Sequence, residues 1–275
     1  MSSVAFVVII IIVMVIIWMI VFAVSINHKE RQEQGKFEQQ KAEIIASIEE
    51  AVGGITTNGI TNEPLAVALP YGLREKKNEI ILIYYLGSET FDISVLDIGE
   101  GTFQLKSKVW GTHFGGDEFD QRIIDWLSDE FKRTHSIDLH KNKIAMQRLK
   151  EAAEKAKIEL STVHQADVNL PFITTGASDP KHMNITLSRL KLEQLVMDLV
   201  ENTLELCKQA VTDAGKTIEQ IDEVILVGGQ TKMPLIQRKV EKFFGKEPNK
   251  NVNIAELETI NAAMRNYKLK TEELS

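Results

Sequence analysis

Three short glycine-bearing turns are the first places in this sequence where chemistry is legible. Gly87 follows the apolar run ending at Leu86, Gly115-Gly116 follows His113-Phe114, and Gly228-Gly229 follows Val227. A glycine turn lets successive backbone N–H groups approach an anion closely, so each is a candidate nest for phosphate oxygens. Most such turns bind nothing, and the pattern alone selects no ligand. The six histidines (His28, His113, His135, His140, His164 and His182) include no pair at i, i+4 enclosing a Glu, so no helical zinc site is expected. The single cysteine, Cys207, excludes an internal disulfide and a thiolate zinc site. It falls in the helical-looking run Leu190–Ala214 and reads as a small buried thiol.

The elements that must position these turns follow from periodicity. Ile80–Tyr85 and Phe91–Ile98 read as strands joined by the tight turn Gly87-Ser88-Glu89, and Phe103–Trp110 as a third strand after Gly99-Glu100-Gly101. Helices are expected at Glu118–Arg133 and Lys143–Leu160. Strands follow at Asp167–Ile173 and His182–Leu187, and then the long helix from Leu190. Glu223–Val227 reads as a buried strand and Pro234–Phe244 as a helix. Upstream, Ile44, Ile45, Ile48 and Val52 recur at helical spacing until Gly53-Gly54; Thr56–Gly59 reads as a turn and Glu63–Leu73 as a short apolar helix. Hairpins followed by helices alternating with strands predict an α/β lobe around a mixed sheet.

Composition narrows the function classes. A net charge of −7 argues against general nucleic-acid binding, which needs basic surface to displace phosphate counterions. At the amino terminus every residue from Val4 to Val24 is apolar. Roughly 20 such residues are needed to cross a hydrocarbon core, so the run is expected to be a transmembrane anchor within residues 1–28. Met1-Ser2-Ser3 lacks the basic residues of a signal peptide, although Ala23-Val24-Ser25 resembles a weak cleavage site. Lys29, Arg31, Lys36 and Lys41 all follow the span, which predicts a single-pass protein with its soluble part in the cytoplasm. The sequon Asn184-Ile185-Thr186 would matter only in the opposite orientation.

The context of the glycine turns carries a family resemblance. Thr61–Ala68 (TNEPLAVA) resembles the hinge-helix motif of the 70-kDa heat-shock (DnaK-type) chaperones, as do Leu86-Gly87 with Thr90–Ser94 (TFDIS) and Thr112–Asp120 (THFGGDEFD). Ala145–Ser161, Val224–Pro234 and Phe243–Asn249 complete the set, in family order, over roughly Ile60 to Met264. The resemblance implies an actin-like (ribonuclease H-like) α/β ATPase domain, incomplete here. Residues 29–79 would form a stalk and a remnant of the first lobe, and residues 80–275 the second lobe with a C-terminal helix. It further implies ATP or ADP with Mg2+ as ligand. Glu154, Lys157 and Ser161 would line the adenosine site, with Gly229, Gln230, Thr231 and Lys232 after Gly228 near the ribose and phosphates. Gly87, Ser88, Glu89 and Thr90 would form a phosphate hairpin beside Gly115 and Gly116. Asp92 would hold magnesium-bound water, and Glu63 would help position the attacking water. Nucleotide-exchange factors or other chaperone cofactors are the implied partners.

The departures are concentrated at the phosphates. The family's first phosphate hairpin and the lysine beyond it have no counterpart, which removes a main electrostatic contribution to phosphoryl transfer. Where the family has Asp-Leu-Gly-Gly-Gly-Thr, this chain has Tyr85-Leu86-Gly87-Ser88-Glu89-Thr90. Tyr85 replaces an aspartate of the magnesium-water shell, and Glu89 aims a carboxylate at phosphate. At about 5 Å and an effective dielectric near 20, that repulsion is roughly 3 kcal/mol per unit charge, or about two decades in affinity. Ala255 stands in Asn253-Ile254-Ala255-Glu256 for the family's aspartate near the adenine, and Asn261 replaces a glycine. The interdomain linker and peptide-binding domain have no counterpart, so peptide-client binding is not expected. The expectation is a membrane-anchored ATP-binding domain with weak binding and impaired hydrolysis. The alternatives are a nucleotide-free interaction module and a decayed gene copy.

Overall fold

The structure is a computed structural model and describes residues 56–58, 78–99, 102–112, 115–174 and 180–250. The expected anchor, the stalk, the helices around Ile44–Val52 and Glu63–Leu73, and positions Glu63, Ala255 and Asn261 lie outside the described residues. Among the described residues no helix is long and apolar enough to cross a membrane.

A five-stranded mixed sheet carries the candidate residues. Its strands are β1 (Thr56–Asn58), β2 (Glu79–Leu86), β3 (Thr90–Gly99), β4 (Thr102–Thr112) and, much later, Glu223–Val227. Strands β2, β3 and β4 run as an antiparallel meander, while the late strand lies parallel beside β2 and β1 parallel beside β4. Period-2 alternation sets the faces. One row runs Leu226–Tyr84–Ile93–Val109 and the next Val224–Leu82–Val95–Ser107. These rows meet the helices in the core. On the opposite face Ile81, Ile83, Leu96, Ile225 and Val227 are also buried.

Helix α1 (Gly116–His135) buries Phe119, Ile123, Leu127 and Phe131, four residues apart on one stripe. Helix α2 (Lys143–Glu159) starts at Asn142, whose Oδ1 accepts from the N–H groups of Ile144 and Ala145 at 3.1 Å each. A separate hairpin, β5 (Gln165–Leu170) with β6 (Met183–Ser188), packs on α2. Helix α3 (Arg189–Asp213) is capped by Ser188, and its buried stripe includes Val196, Val200, Thr203 and Cys207, the last as expected. The late strand, β7, ends in a turn that feeds α4 (Pro234–Phe244). That helix opens on proline and closes on Gly245 at φ 68°, the favoured residue at each end.

Two expectations need correction. Thr56–Asn58 is a strand, not a turn: three polar residues carry no apolar alternation, and pairing with Thr102–Gln104 decides their conformation. The strand expected over Asp167–Ile173 runs instead from Gln165 to Leu170. Pro171 has no N–H to give a ladder, and Phe172 follows in the left-handed region at φ 52°.

Candidate functional site

The sheet register brings the three glycine turns together. The β2–β3 turn is closed by the Gly87 N–H donating to Thr90 O at 3.0 Å. The carbonyls of Gly87 and Ser88 then accept from the N–H groups of Gly116 and Asp117, at 2.9 and 2.8 Å. Those are two of the four donors that the start of α1 would otherwise leave open. A Cβ on Gly115 would stand 2.3 Å from Ser88 O, and one on Gly228, at φ 97°, 2.2 Å from Leu86 O. Glycine is required at both positions because backbone meets backbone there. The turns thus converge, and the Gly87, Gly116 and Asp117 N–H groups are spent within and between them.

Beside this junction lies a buried ion pair. Lys157, 8% exposed, reaches from α2 to donate to Asp120 Oδ2 at 2.9 Å and to Gly116 O at 3.0 Å. An ammonium has three N–H donors, so one remains. Asp120 is 3% exposed, and its Oδ1 is buried with no hydrogen-bond partner. Burial pushes the Asp120 carboxyl above its ordinary range against the pull of Lys157, and the charges of Glu154 and Asp117 add to the rise. Gln230, 8% exposed, completes the cluster. Its Oε1 and the Lys157 Nζ each stand 3.1 Å from where a Cβ on Gly116 would be. The Gln230 side chain is not among the buried polar groups left without a partner, as Asp120 Oδ1 is.

The other expected residues divide. Glu154 is exposed on α2, and Ser161, half-buried just beyond its end, lies 3.5 Å from Lys157 O. Thr231 is buried, with its hydroxyl donating to Gly228 O at 2.7 Å, so it braces the turn. Gly229 and Lys232 are exposed. Behind Gly228 a pocket of about 50 Å³, walled partly by Thr231, Lys232, Gln237 and Lys250, has room for a water rather than a nucleoside.

At the hairpin the arrangement differs. Ser88, Glu89 and Thr90 are exposed. Tyr85, 37% exposed, lays its phenol over Gly87, whose Cβ would fall 2.9 Å from the phenolic oxygen. Asp92 is registered between Tyr85 and Trp110, and its Oδ1 lies 4.0 Å from Lys108 Nζ. Asp120 and Lys108 were not singled out from sequence. Asp120 was detectable as a lone carboxylate on the apolar stripe Phe119, Ile123, Leu127. Lys108 needed the strand register.

The order of these turns, and the elements that carry them, match a known family: the model for the Hsp70 protein family covers residues 38–273. The chain belongs to the Hsp70 family. Its described part is a mixed α/β structure, and ATPase domains of this family are actin-like and bind ATP or ADP with Mg2+. Hsp70 proteins generally work with co-chaperones and nucleotide-exchange factors. Tested against that ligand, the two ends of the site differ. The nucleoside end fits: a glycine at Gly116 lies beside the Gln230 amide and an ammonium with a donor to spare. The phosphate and magnesium end does not fit. A phenol covers its glycine, an added carboxylate stands on its turn, and a lysine stands beside its remaining aspartate.

Proposed function

We propose that this chain is a membrane-anchored Hsp70-type adenine-nucleotide-binding module that binds weakly and hydrolyses ATP poorly. The observation that carries this reading is the convergence of Lys157 and Gln230 on Gly116, with Lys157 bonded to the Gly116 carbonyl. Lys157, Gln230, Glu154 and Ser161 would hold the nucleoside. A bound magnesium–phosphate group would supply the reactive bond, and Tyr85, Glu89 and Asp92 do not form a site that fits it. Calorimetric titration of the full chain in detergent tests this: micromolar to millimolar adenine-nucleotide binding that weakens in Glu154→Ala is expected. Unchanged affinity in that variant would move the ligand elsewhere. The anchor, with the domain on the cytoplasmic side, is proposed from Val4–Val24 and the lysines after it. Protease accessibility in sealed vesicles tests it.

A second reading is a nucleotide-free surface for an exchange factor. It is favoured by Ile158 on α2 and Leu190 at the start of α3, 62% and 66% exposed. Titration of a purified exchange factor should then give binding that Leu190→Ser abolishes and nucleotide does not alter.

A further inference from the structure

The hairpin of β5 and β6 is a sheet of two strands, so among the described residues β5 has a ladder partner on one side only. In an antiparallel pair the backbone groups of alternate residues turn away from the partner strand. Those of Gln165–Leu170 that turn away from β6 bond to no helix, turn or side chain among the described residues. Such an edge is a template for another strand, and lysine or proline commonly protects it. The β4 edge beyond its pairing with β1 carries Lys106 and Lys108, whereas β5 carries neither lysine nor proline.

A groove of about 240 Å³ runs between β5 and α2. Four successive residues, Asp167–Leu170, line it. Successive side chains of a strand point to opposite faces, so the groove follows the edge of β5 rather than one face. On α2, Ala152 and Ala156 form the floor, and their single methyl groups leave the gap open. A strand added about 4.8 Å from β5 would run over them. Arg148 closes one end, donating to the carbonyls of Pro171 and Phe172 at 2.8 and 3.0 Å. The rim is acidic: Glu151, Glu159 and Asp167 are exposed, and with Arg148 turned to those carbonyls Lys155 is the one base facing them. Asp167 accepts the Thr186 hydroxyl at 2.7 Å and Glu151 the Gln147 amide at 3.4 Å, but none of the three acids has an ion-pair partner among the described residues. Lys157 is turned from Lys155 by about 200° around α2, so the groove is separate from the Asp120 ion pair.

We propose that the β5 edge takes an extended basic segment of another protein as a third strand, with lysine or arginine alternating with small apolar residues. Backbone hydrogen bonds along β5 supply the affinity and the alternate side chains the selectivity. The small residues pack over Ala152 and Ala156, and the basic ones meet Glu151, Glu159 and Asp167.

The test is calorimetric titration of the full chain in detergent with a capped peptide of four lysines alternating with three valines, followed by amide hydrogen exchange. Binding is expected, with alternate amides within Gln165–Leu170 newly protected. Of two such peptides, N-methylated at every lysine or at every valine, one should bind about tenfold more weakly, because only one edge of the added strand faces β5. Glutamate in place of lysine in the peptide, or Glu151→Lys/Glu159→Lys in the chain, should also weaken binding about tenfold. The peptide comparisons use the natural chain and stand whether or not that variant folds. No binding, equal affinity of the two methylated peptides, or equal affinity of the glutamate peptide would overturn the proposal. So would protection of the same β5 amides in concentrated chain without peptide, which would give the edge to a second copy.

Discussion

The hairpin end and the helix end of the site lie side by side yet have diverged differently. At the helix end, Lys157, Asp120 and Gly116 form a buried, bonded group joining α1 and α2, with Gln230 of the β7 turn packed beside it. At the hairpin end, Ser88, Glu89 and Thr90 are exposed and free to vary, and the two changes that oppose phosphate, Tyr85 and Glu89, are both there. The difference shows that glycine turns and a ligand site are separable. Gly115 and Gly228 are demanded by close backbone contact whether or not a phosphate arrives. A side chain facing solvent at position 89 answers only to the ligand. Structure therefore preserves the first group, and only function could preserve the second.

The largest expected effect breaks the helix end. Lys157→Met leaves the Asp120 carboxylate buried without its cation, and the loss should be about 3–5 kcal/mol, read as a lower urea midpoint. Adding Asp120→Leu should recover much of that loss, because the orphaned charge goes with it; a double variant no better than the single one would argue against a direct pair. Next, Gly228→Ala puts a methyl 2.2 Å from Leu86 O at φ 97°. About 2–3 kcal/mol of stability should be lost, with the β2–β3 turn exchanging its amide hydrogens faster. The same substitution at the exposed Gly229, where no atom would lie within 4 Å, should cost far less.

The pH dependence sharpens the contrast. Burial raises the Asp120 carboxyl above its ordinary value of 3.8, so the folded chain holds that proton more firmly than the unfolded one. The corresponding stability is fully present below the ordinary value and lost as pH rises through the raised one. Urea midpoints measured across that window should fall with pH for the natural chain relative to Asp120→Asn; a relative rise would mean that the attraction of Lys157 outweighs burial. The smallest effect belongs to Asn142→Ala, which removes the cap of α2 far from Lys157. It should cost about 1 kcal/mol and leave ligand affinity unchanged.

The sheet and helices were legible because their residues repeat at the periods their environments impose. Ile80–Leu86 is an unbroken apolar run, as a strand buried on both faces needs, and Phe119, Ile123, Leu127 and Phe131 recur at fours. The Thr56–Asn58 strand was not legible, since its pairing with Thr102–Gln104 is a tertiary fact. The site residues were named through their family motifs, and the structure gathers the glycine turns with Lys157 and Gln230. What the sequence did not disclose was how they are employed. The family motif placed Lys157 at the adenosine, but its partner Asp120 lies 37 residues away, and only the packing of α1 on α2 joins them. Likewise the alternation of β4 placed Lys108 on a face, but not beside Asp92.

The most direct test of the account is the ratio of adenosine affinity to Mg-ATP affinity, measured by calorimetry on the full chain and on its Tyr85→Asp/Glu89→Gly double variant. The account predicts that the double variant shifts the ratio toward Mg-ATP by about two decades while leaving adenosine affinity unchanged. A ratio that the double variant does not move would contradict the claim that the nucleoside end is intact and the phosphate end is lost.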